Sequence, residues 1–290
     1  YLCNMSEKNI LIADSGSTKT DWCLIQNGKK KGLKTQGINP YFLQEHEIMQ
    51  IFDNELKINP LKTHIDEIHF YGAGINSVDN KKRIEKSLKQ YFNIKKAYSY
   101  SDMLATARAT CNHQKGIACI LGTGSNSCYY DGKKMGFKTP TLGYILGDEG
   151  GGTHLGKKIL QYYLHDIFDR ELKIKFEESF DTNLAVILET IYRKPLPNRY
   201  LAHFASFIFQ NRGHYMIENI AEDCFNDFFI NHLLRYPHIH KLPVHFSGSV
   251  AYYLKDILVN LCNQYEINCG SVIQKPMKGL IAYHTTTLEK

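Results

Sequence analysis

Two short stretches of the sequence combine glycine with hydroxyl, amino or carboxylate side chains. The first, "ADSGSTKT", contains Asp14, Gly16, Ser17, Thr18 and Lys19, and the second, "LGTGSN", contains Gly122, Thr123, Gly124 and Ser125. Glycine allows backbone N–H groups to approach a phosphate closely, hydroxyls add further donors, and a carboxylate at a strand end holds Mg²⁺. The two stretches are therefore candidate sites for the phosphates of a nucleotide such as ATP. The alternative is a pair of ordinary hairpin turns, since neither stretch has the G-x-x-x-x-G-K-[ST] pattern.

Both stretches lie at the tips of predicted β-hairpins. Residues 9–36 have the pattern of strand, turn, strand, turn, strand, with a turn at Asn27-Gly28. The same order recurs over 116–137, with a second turn at Asp131-Gly132. This weak repeat predicts two domains, each of which opens with a hairpin whose tip faces a shared cleft.

The remaining apolar spacing predicts strands that alternate with helices. Helical spacing covers 41–57, the region around 79–92, a helix opening near Ser101 or Asp102, and 155–167, 183–193, 199–210, 215–236, 250–262 and a last helix from about 276. Short apolar runs at 68–74, 244–248 and 271–274 predict further strands. This alternation is typical of the α/β class. We expect an N-terminal domain of residues 1–112 plus about 277–290, and a C-terminal domain of residues 113–276 with helical additions.

Composition narrows the function classes. The 290 residues carry a formal net charge of +6 and are 43% hydrophobic, which is ordinary for a globular protein. No dense Lys/Arg block favours nucleic acid as a partner, and no apolar run approaches the roughly 20 residues that span a bilayer. The eight cysteines form no C-x-x-C pair, and the 13 histidines form no zinc pattern. We therefore expect a cytoplasmic protein without disulfides, zinc, nucleic-acid binding or membrane association.

Six motifs in order resemble those of the superfamily of sugar kinases, actin and heat-shock chaperone ATPases. Within it, the chain is similar to BadF-type ATPases and N-acetylglucosamine kinases. The motifs are "ADSGSTKTDWCLI", "GINP", "SDMLATARA", "ILGTGSNSCYYDG", "GYILGDEGGGTHLGKKIL" and "HFSGSVAYYL". The resemblance covers nearly the whole chain and implies two actin-like (ribonuclease H-like) domains with a nucleotide cleft between them. It also implies an ATP-dependent kinase that phosphorylates the 6-hydroxyl of N-acetylglucosamine or glucosamine.

The resemblance assigns roles to particular residues. Asp102 would be the general base that accepts a proton from the sugar hydroxyl, although an aspartate here could also cap a helix. ATP would contact Gly16, Ser17, Thr18, Lys19, Gly122, Thr123, Gly124, Gly248 and Ser249, with Mg²⁺ held by Asp14. The sugar would contact Asn39, Ser125, Asn126, Gly143 and Asp148. For the Asn and Asp residues, turn formation is the alternative explanation, and for Gly248 and Ser249 it is a plain strand-to-helix turn.

Some residues depart from the family patterns and leave other functions open. The chain lacks the cysteine-rich zinc motif of some sugar kinases and the paired cysteines that hold an iron–sulfur cluster in BadF-type activators. Tyr144 stands near the position where glucosamine-type kinases often have a tryptophan, and the sole tryptophan, Trp22, is predicted to be a packing residue. The alternative function is a BadF-type ATPase or a nucleotide-dependent sensor without sugar chemistry. We expect exposed aromatic residues in 199–236, which leave a homodimer possible.

Overall fold

The structure is a computed structural model that describes residues 8–16, 18–58 and 63–286. The described residues divide into two compact units. The first unit runs to Asn112 and resumes at Pro276, and the second unit comprises His113–Lys275.

The first unit is a five-stranded mixed sheet with helices on both faces. Its elements are β1 (Ile10–Ser15), β2 (Lys19–Gln26), β3 (Lys29–Gln36), α1 (Glu45–Glu55), β4 (Glu67–Gly72), α2 (Val78–Phe92), β5 (Ala97–Ser101) and α3 (Asp102–Cys111). The strand order is β3-β2-β1-β4-β5, with the first three strands antiparallel and β1, β4 and β5 parallel. The carboxyl ends of β1, β4 and β5 therefore lie along one edge of the sheet.

Alternation along β1 decides which helices cover which face. Leu11 and Ala13 point to one face, where they pack with residues of α1 and α2. Trp22 is buried on this face with 1% exposure, its ring lies edge-on to Phe52 and Phe70, and its Nε1 donates to Thr35 Oγ1 at 3.1 Å. The predicted packing role of Trp22 is confirmed.

The second unit is a four-stranded sheet with a large helical cover. Its elements are β6 (Gly116–Leu121), β7 (Ser125–Tyr130), α4 (Gly143–Leu146), α5 (Gly152–Leu164), α6 (Arg170–Ser179), α7 (Leu184–Arg193), α8 (Pro197–His203), α9 (Ser206–Gln210), α10 (Tyr215–Asn231), β8 (Val244–Ser247), α11 (Ser249–Tyr253), α12 (Lys255–Gln264) and β9 (Cys269–Ile273). Two 3₁₀ turns, Leu233–Arg235 and Ile239–Lys241, follow α10. The strand order is β7-β6-β8-β9, with β6, β8 and β9 parallel, so their carboxyl ends share an edge.

The chain returns to the first unit through α13 (Met277–Thr285). This helix packs on α3 and on the face of β1 that bears Ile10 and Ile12, where Leu280 is fully buried. Gly279 allows α13 to approach α3 closely, because a Cβ added there would lie 2.1 Å from the backbone oxygen of Ala109. α13 thus supports α3, the helix that begins at Asp102.

Most predicted elements are present, and the structure corrects several. The predicted third strand of the second hairpin is wrong, because the described residues 133–137 form an isolated bridge at Met135 and backbone hydrogen bonds with Tyr129 but no strand. Helix 199–210 is two helices, α8 and α9, and helix 250–262 is broken at Leu254 into α11 and α12. The short helix α4 and the helix α6 were not predicted.

The expected exposed aromatic surface in 199–236 is also wrong. Five of these rings are buried in the core of the second unit, at Phe204, Phe207, Phe225, Phe228 and Phe229, each at most 1% exposed. Tyr215, at 65%, is the large exposed aromatic there. The rings of this region fill the core, so they give no support to a homodimer.

The α-helices of the described residues are between 4 and 17 residues long. None of them is both long enough and apolar enough to cross a bilayer.

Candidate functional site

Asp102 is the first residue of α3, at the carboxyl end of β5. The helix is capped by Ser101, whose Oγ accepts from the backbone N–H of Leu104 at 3.3 Å. Asp102 Oδ1 accepts from the N–H of Met103 at 2.8 Å. Since Ser101 is the cap, the half-buried Asp102 carboxylate is not needed in that role. Its place in the first turn of a helix stabilises its negative charge.

Asp14 lies near the carboxyl end of β1, on the face that carries α3. Its register partner on the antiparallel strand β2 is Asp21, so two carboxylates lie opposite each other on one face of the sheet. Like charges placed opposite each other in this way repel, and a bound cation relieves the repulsion. Among the described residues no group of three His, Cys, Asp or Glu residues could hold a metal alone. The arrangement fits Mg²⁺, which typically binds one or two carboxylates together with substrate phosphates and water.

The tip of the first hairpin is a tight turn between β1 and β2. The N–H of Gly16 donates to Lys19 O at 3.0 Å, and the N–H of Gly37 donates to Thr18 O at 3.0 Å. Gly16, Thr18 and Lys19 are exposed, as a ligand-contacting tip requires. Ser17, the remaining predicted contact, lies outside the described residues.

Asn39 is fixed near the same edge of the first sheet. Ser15 Oγ donates to Ile38 O at 3.0 Å and accepts from Ile38 N at 2.9 Å, which ties the Asn39 loop to the end of β1. Asn39 Oδ1 accepts from Tyr41 N at 2.9 Å, so the predicted turn chemistry is present. Gly74, with φ +79°, has no room for a Cβ because it would lie 2.0 Å from Asn39 Oδ1. The side chain therefore rests against the loop that follows β4.

The glycine turn of the second unit is held by the residues that open α5. The N–H groups of Gly152 and Thr153 donate to Gly122 O and Thr123 O, each at 2.8 Å. A Cβ on Gly151 would lie 2.6 Å from the backbone carbon of Gly124. The two glycine-rich segments are thus pressed together, and side chains are excluded between them.

Asp148 lies over this turn. Its Oδ1 accepts from Ser125 N at 3.2 Å, its Oδ2 accepts from Thr153 Oγ1 at 3.5 Å, and a Cβ on Gly124 would lie 2.5 Å from Oδ1. Burial raises the pKa of Asp148, although the Ser125 amide and Lys157 oppose the increase. Ser125 Oγ is buried and has no hydrogen-bond partner among the described residues. An orphan hydroxyl beside a desolvated carboxylate is suited to a ligand that carries hydroxyl groups.

Gly248 lies at the shared carboxyl edge of the second sheet, and Asn126 lies close to it. Gly248 has φ +120° and abuts β6, since a Cβ there would lie 2.2 Å from Leu121 O. Ser249, the first residue of α11, is exposed. Asn126 is half-buried near the start of β7, opposite Ile120 at the end of β6, and its Oδ1 accepts from Ser127 N at 2.9 Å.

Gly143 is an exposed residue, one helical turn before Gly147. Its φ is +70°, and its carbonyl accepts from Gly147 N at 2.8 Å. It therefore shapes the approach of the chain to Asp148.

Each unit thus gathers its own predicted residues at the carboxyl edge of its sheet. Ser15 and Thr153 hold the two loops in place. Thr153 was not predicted, although it lies in the run "DEGGGT", whose density of glycines was the available signal. Ser15 lies in the stretch whose hydroxyls we expected to contact phosphate, and its contact with the Asn39 loop had no signal because its partner Ile38 is 23 residues away.

No protein-family model and no curated protein matches this chain. A solved structure from Porphyromonas gingivalis, provisionally assigned as an N-acetylglucosamine kinase, is 39% identical, with 95% of this chain and 98% of that chain covered and a TM-score of 0.89. A second such provisional assignment, from Chromobacterium violaceum, is 16% identical with a TM-score of 0.74, covering 96% of this chain and 99% of that one. A ROK-family glucokinase from Streptomyces griseus, in complex with glucose and AMPPNP, is 12% identical with a TM-score of 0.56, covering 95% and 97%.

The fold is that of the sugar kinases that these comparisons found. Among these, the chain belongs to the N-acetylglucosamine kinase-like family that includes the Porphyromonas gingivalis protein.

Proposed function

We propose that this protein is an ATP-dependent kinase of an amino sugar, N-acetylglucosamine or glucosamine, and that it phosphorylates the 6-hydroxyl. The observation that carries the proposal is the 39% identity over 95% of the chain to a protein with that provisional assignment. The chemistry of Asp102, of Asp148 and of the glycine turn at Gly122–Gly124 supports it.

Asp102 is the general base of the proposed reaction. Its carboxylate accepts the proton of the sugar 6-hydroxyl as the oxygen attacks the γ-phosphorus of ATP. The new O–P bond forms while the bond from the γ-phosphorus to the bridging oxygen breaks, and ADP leaves. Phosphoryl transfer needs positioning and charge stabilisation more than covalent help, so one carboxylate is sufficient.

The nucleotide is bound by backbone amides and hydroxyls. The proposed phosphate contacts are Gly16, Ser17, Thr18 and Lys19 of the first unit and Gly122, Thr123 and Gly124 of the second. The adenosine lies against the backbone of Gly248 and Ser249, where a side chain at 248 has no space. Asp14 would hold Mg²⁺, and the ion would neutralise negative charge on the ATP phosphates.

The sugar is recognised by hydroxyl and carboxylate groups. Asp148 accepts hydrogen bonds from sugar hydroxyls, and Ser125 Oγ gains the partner that it lacks among the described residues. Asn39, Asn126 and Gly143 complete the proposed contacts. Because Asp148 is desolvated, each hydrogen bond that it accepts from a sugar is strong.

A substrate panel tests the proposal. ADP release should be stimulated by an amino sugar in the presence of ATP and Mg²⁺, and phosphorus NMR of the product should show a 6-phosphate ester. Glucose, mannose and galactose serve as comparison sugars. If no sugar stimulates ADP release although ATP binds, the kinase proposal is wrong and a nucleotide-dependent sensor is the better reading.

The substitution Asp102→Asn tests the general base. The amide oxygen still accepts from Met103 N, so α3 should begin as before. We expect kcat to fall by roughly two to four orders of magnitude, since a positioned base contributes about that much, while the Kd for ATP stays nearly unchanged. The control is Asp79→Asn, an exposed aspartate in the first turn of α2, which should leave kcat unaltered. Near-normal turnover of Asp102→Asn would remove Asp102 from this role.

A further inference from the structure

The backbone of Asp148 is held in a conformation that costs free energy. Its φ is +59°, in the left-handed region that a residue with a side chain adopts at a cost of about 1 kcal/mol or more. The carboxylate lies so close to Gly124 that a Cβ there would be 2.5 Å away. The contacts of the neighbouring residues therefore bear on where the Asp148 carboxylate lies.

Two histidines bind the residues that follow Asp148. His232 Nε2 lies 3.0 Å from Glu149 Oε2, and Asn231 Nδ2 donates to Glu149 Oε1 at 3.3 Å. The N–H of Gly150 donates to His154 Nδ1 at 3.2 Å, and His154 Nε2 faces Asp227 Oδ2 at 3.6 Å. Asp227 and Asn231 belong to α10, and His232 follows it directly. Both supports therefore lead to the carboxyl-terminal end of α10.

The Glu149–His232 pair is largely buried. The side chain of His232 is 6% exposed and that of Glu149 is 19% exposed. The imidazole stacks on Phe228 with ring centroids 4.9 Å apart. Burial alone would raise the pKa of Glu149, but the hydrogen bond with His232 and the glutamate's own backbone N–H lower it. Glu149 is therefore ionised at neutral pH, and His232 Nε2–H is the donor.

Both oxygens of the Glu149 carboxylate are thus engaged by α10 and His232. Each carboxylate oxygen can accept more than one hydrogen bond, so these contacts orient Glu149 without excluding a further donor. Asp148, next to it, is tied to the glycine turn instead, through Ser125 N and Thr153 Oγ1. The two adjacent acids therefore differ in the elements that orient them.

We propose that Glu149 and His232 are positioning residues. They hold Asp148 in its left-handed conformation over Gly124, and α10 thereby controls the affinity for the sugar. We call the contacts of Glu149 with His232 and Asn231 the clamp. Its kinetic consequence rests on the proposed sugar-kinase function, while the clamp itself rests on the contacts alone.

Kinetics of His232 variants test the proposal. His232→Phe keeps the stack on Phe228 and removes the donor to Glu149. We expect the KM for the sugar to rise roughly ten- to hundredfold, because a shift of about 1 Å in a positioning group has an effect of that size, with the KM for ATP nearly unchanged. His232→Gln places an amide N–H near the position of Nε2 and should restore most of the affinity. His240→Phe, at an exposed histidine, is the control and should resemble the wild type.

Hydrogen exchange of the protein without ligands separates the clamp from the function. In His232→Phe, exchange should be faster at the amides of Ser125, Gly150 and Gly151, which are bound to Asp148 or to His154. If His232→Phe does not fold, Glu149→Gln carries the same test, since its amide N–H₂ would oppose one of the two donors. Wild-type protein without sugar kinase activity, but with faster exchange in the variant, overturns the proposed function and leaves the clamp. An active wild type, with sugar KM and exchange unchanged in both variants, overturns the clamp.

Discussion

At the scale of single residues, Asp148 is a side chain whose placement lowers the stability of the fold. Burial raises its pKa, which means that the folded state disfavours the ionised carboxylate relative to the unfolded chain. Its left-handed backbone adds to this cost. Local strain and unfavourable charge burial of this kind are typical of functional sites.

The substitution Asp148→Asn should therefore raise the free energy of unfolding and weaken the affinity for the sugar. Asparagine tolerates a left-handed φ and keeps an acceptor for Ser125 N. Because the pKa of Asp148 is raised on folding, the ionised carboxylate destabilises the fold above that pKa. The gain in the free energy of unfolding should be largest near neutral pH and should vanish as the pH falls and both states become protonated. Urea unfolding across pH measures it, and the KM for the sugar should rise. A variant that is less stable than the wild type at neutral pH would contradict this reading.

His69 gives a second prediction that depends on pH. It is buried on β4 and stacks on His284 with ring centroids 3.9 Å apart, and burial lowers its pKa to about 4 from an ordinary value of 6.5. The histidine is thus protonated below about pH 6.5 in the unfolded chain but only below about pH 4 in the folded protein. The free energy of unfolding should decrease over this interval by on the order of 3 kcal/mol, at about 1.4 kcal/mol for each pH unit.

In His69→Phe this loss should be absent, and the profile between pH 6.5 and 4 should be flatter than in the wild type. The matched control is His64→Phe, at a histidine whose side chain is 77% exposed. If the two variants show the same acid profile, His69 is not the source of the effect.

At the scale of elements, the sequence predicts what local patterns determine. The structure contains the two predicted hairpins with "ADSGST" and "GTGSN" at their tips. It also contains the helix that starts at Asp102 and the parallel strands. These elements could be predicted because alternation and small turn residues are local signals. The break between α8 and α9 at Phe204 and Ala205 has no glycine or proline to mark it. α6 has only Leu172 and Phe176 buried among mostly polar residues, so its apolar stripe is too thin to detect.

The candidate site likewise contains features that local sequence predicts and contacts that it does not. Asp102 and the glycine turns could be predicted from local sequence, but the hold on Asp148 could not. Glu149 and His232 are 83 residues apart, and no spacing rule joins them. The orientation of the Glu149 side chain depends on such a distant contact.

Packing of α13 on α3 leads to a prediction for the element that carries Asp102. Gly279→Ala puts a methyl group where the backbone oxygen of Ala109 lies 2.1 Å away, so the helices must separate. We expect a loss of about 1–3 kcal/mol in the free energy of unfolding, as for other overpacked cores. Gly32→Ala, in β3 of the same unit, has no atom within 4 Å and should be neutral or slightly stabilising. Urea midpoints compare the two, and equal midpoints would show that the helices tolerate the separation.

At the scale of the whole molecule, the two units differ in how the chain builds them. The second unit is one continuous segment with its own phenylalanine-rich core. The first unit needs a helix from the far end of the chain, because Leu280 covers Ile10, Ile12 and Ala105. Removal of α13 would expose that apolar face.

Fragments should reflect this difference. Residues 113–275 expressed alone should give helical circular dichroism and a cooperative urea transition. Residues 1–112 alone should fail to fold cooperatively, and fusion of residues 276–286 to them through a flexible linker should restore the transition. A cooperative transition of 1–112 alone would show that α13 is dispensable.

The burial of Trp22 has an optical consequence. It is the sole tryptophan of the chain and lies in the core of the first unit, while the second unit carries none. Excitation at the red edge of the absorption band, where tyrosine does not absorb, therefore yields emission from the first unit alone. Tryptophan emission, recorded during unfolding, reports on the first unit, whereas far-ultraviolet ellipticity of the same sample reports on the helices of both units, without any added label.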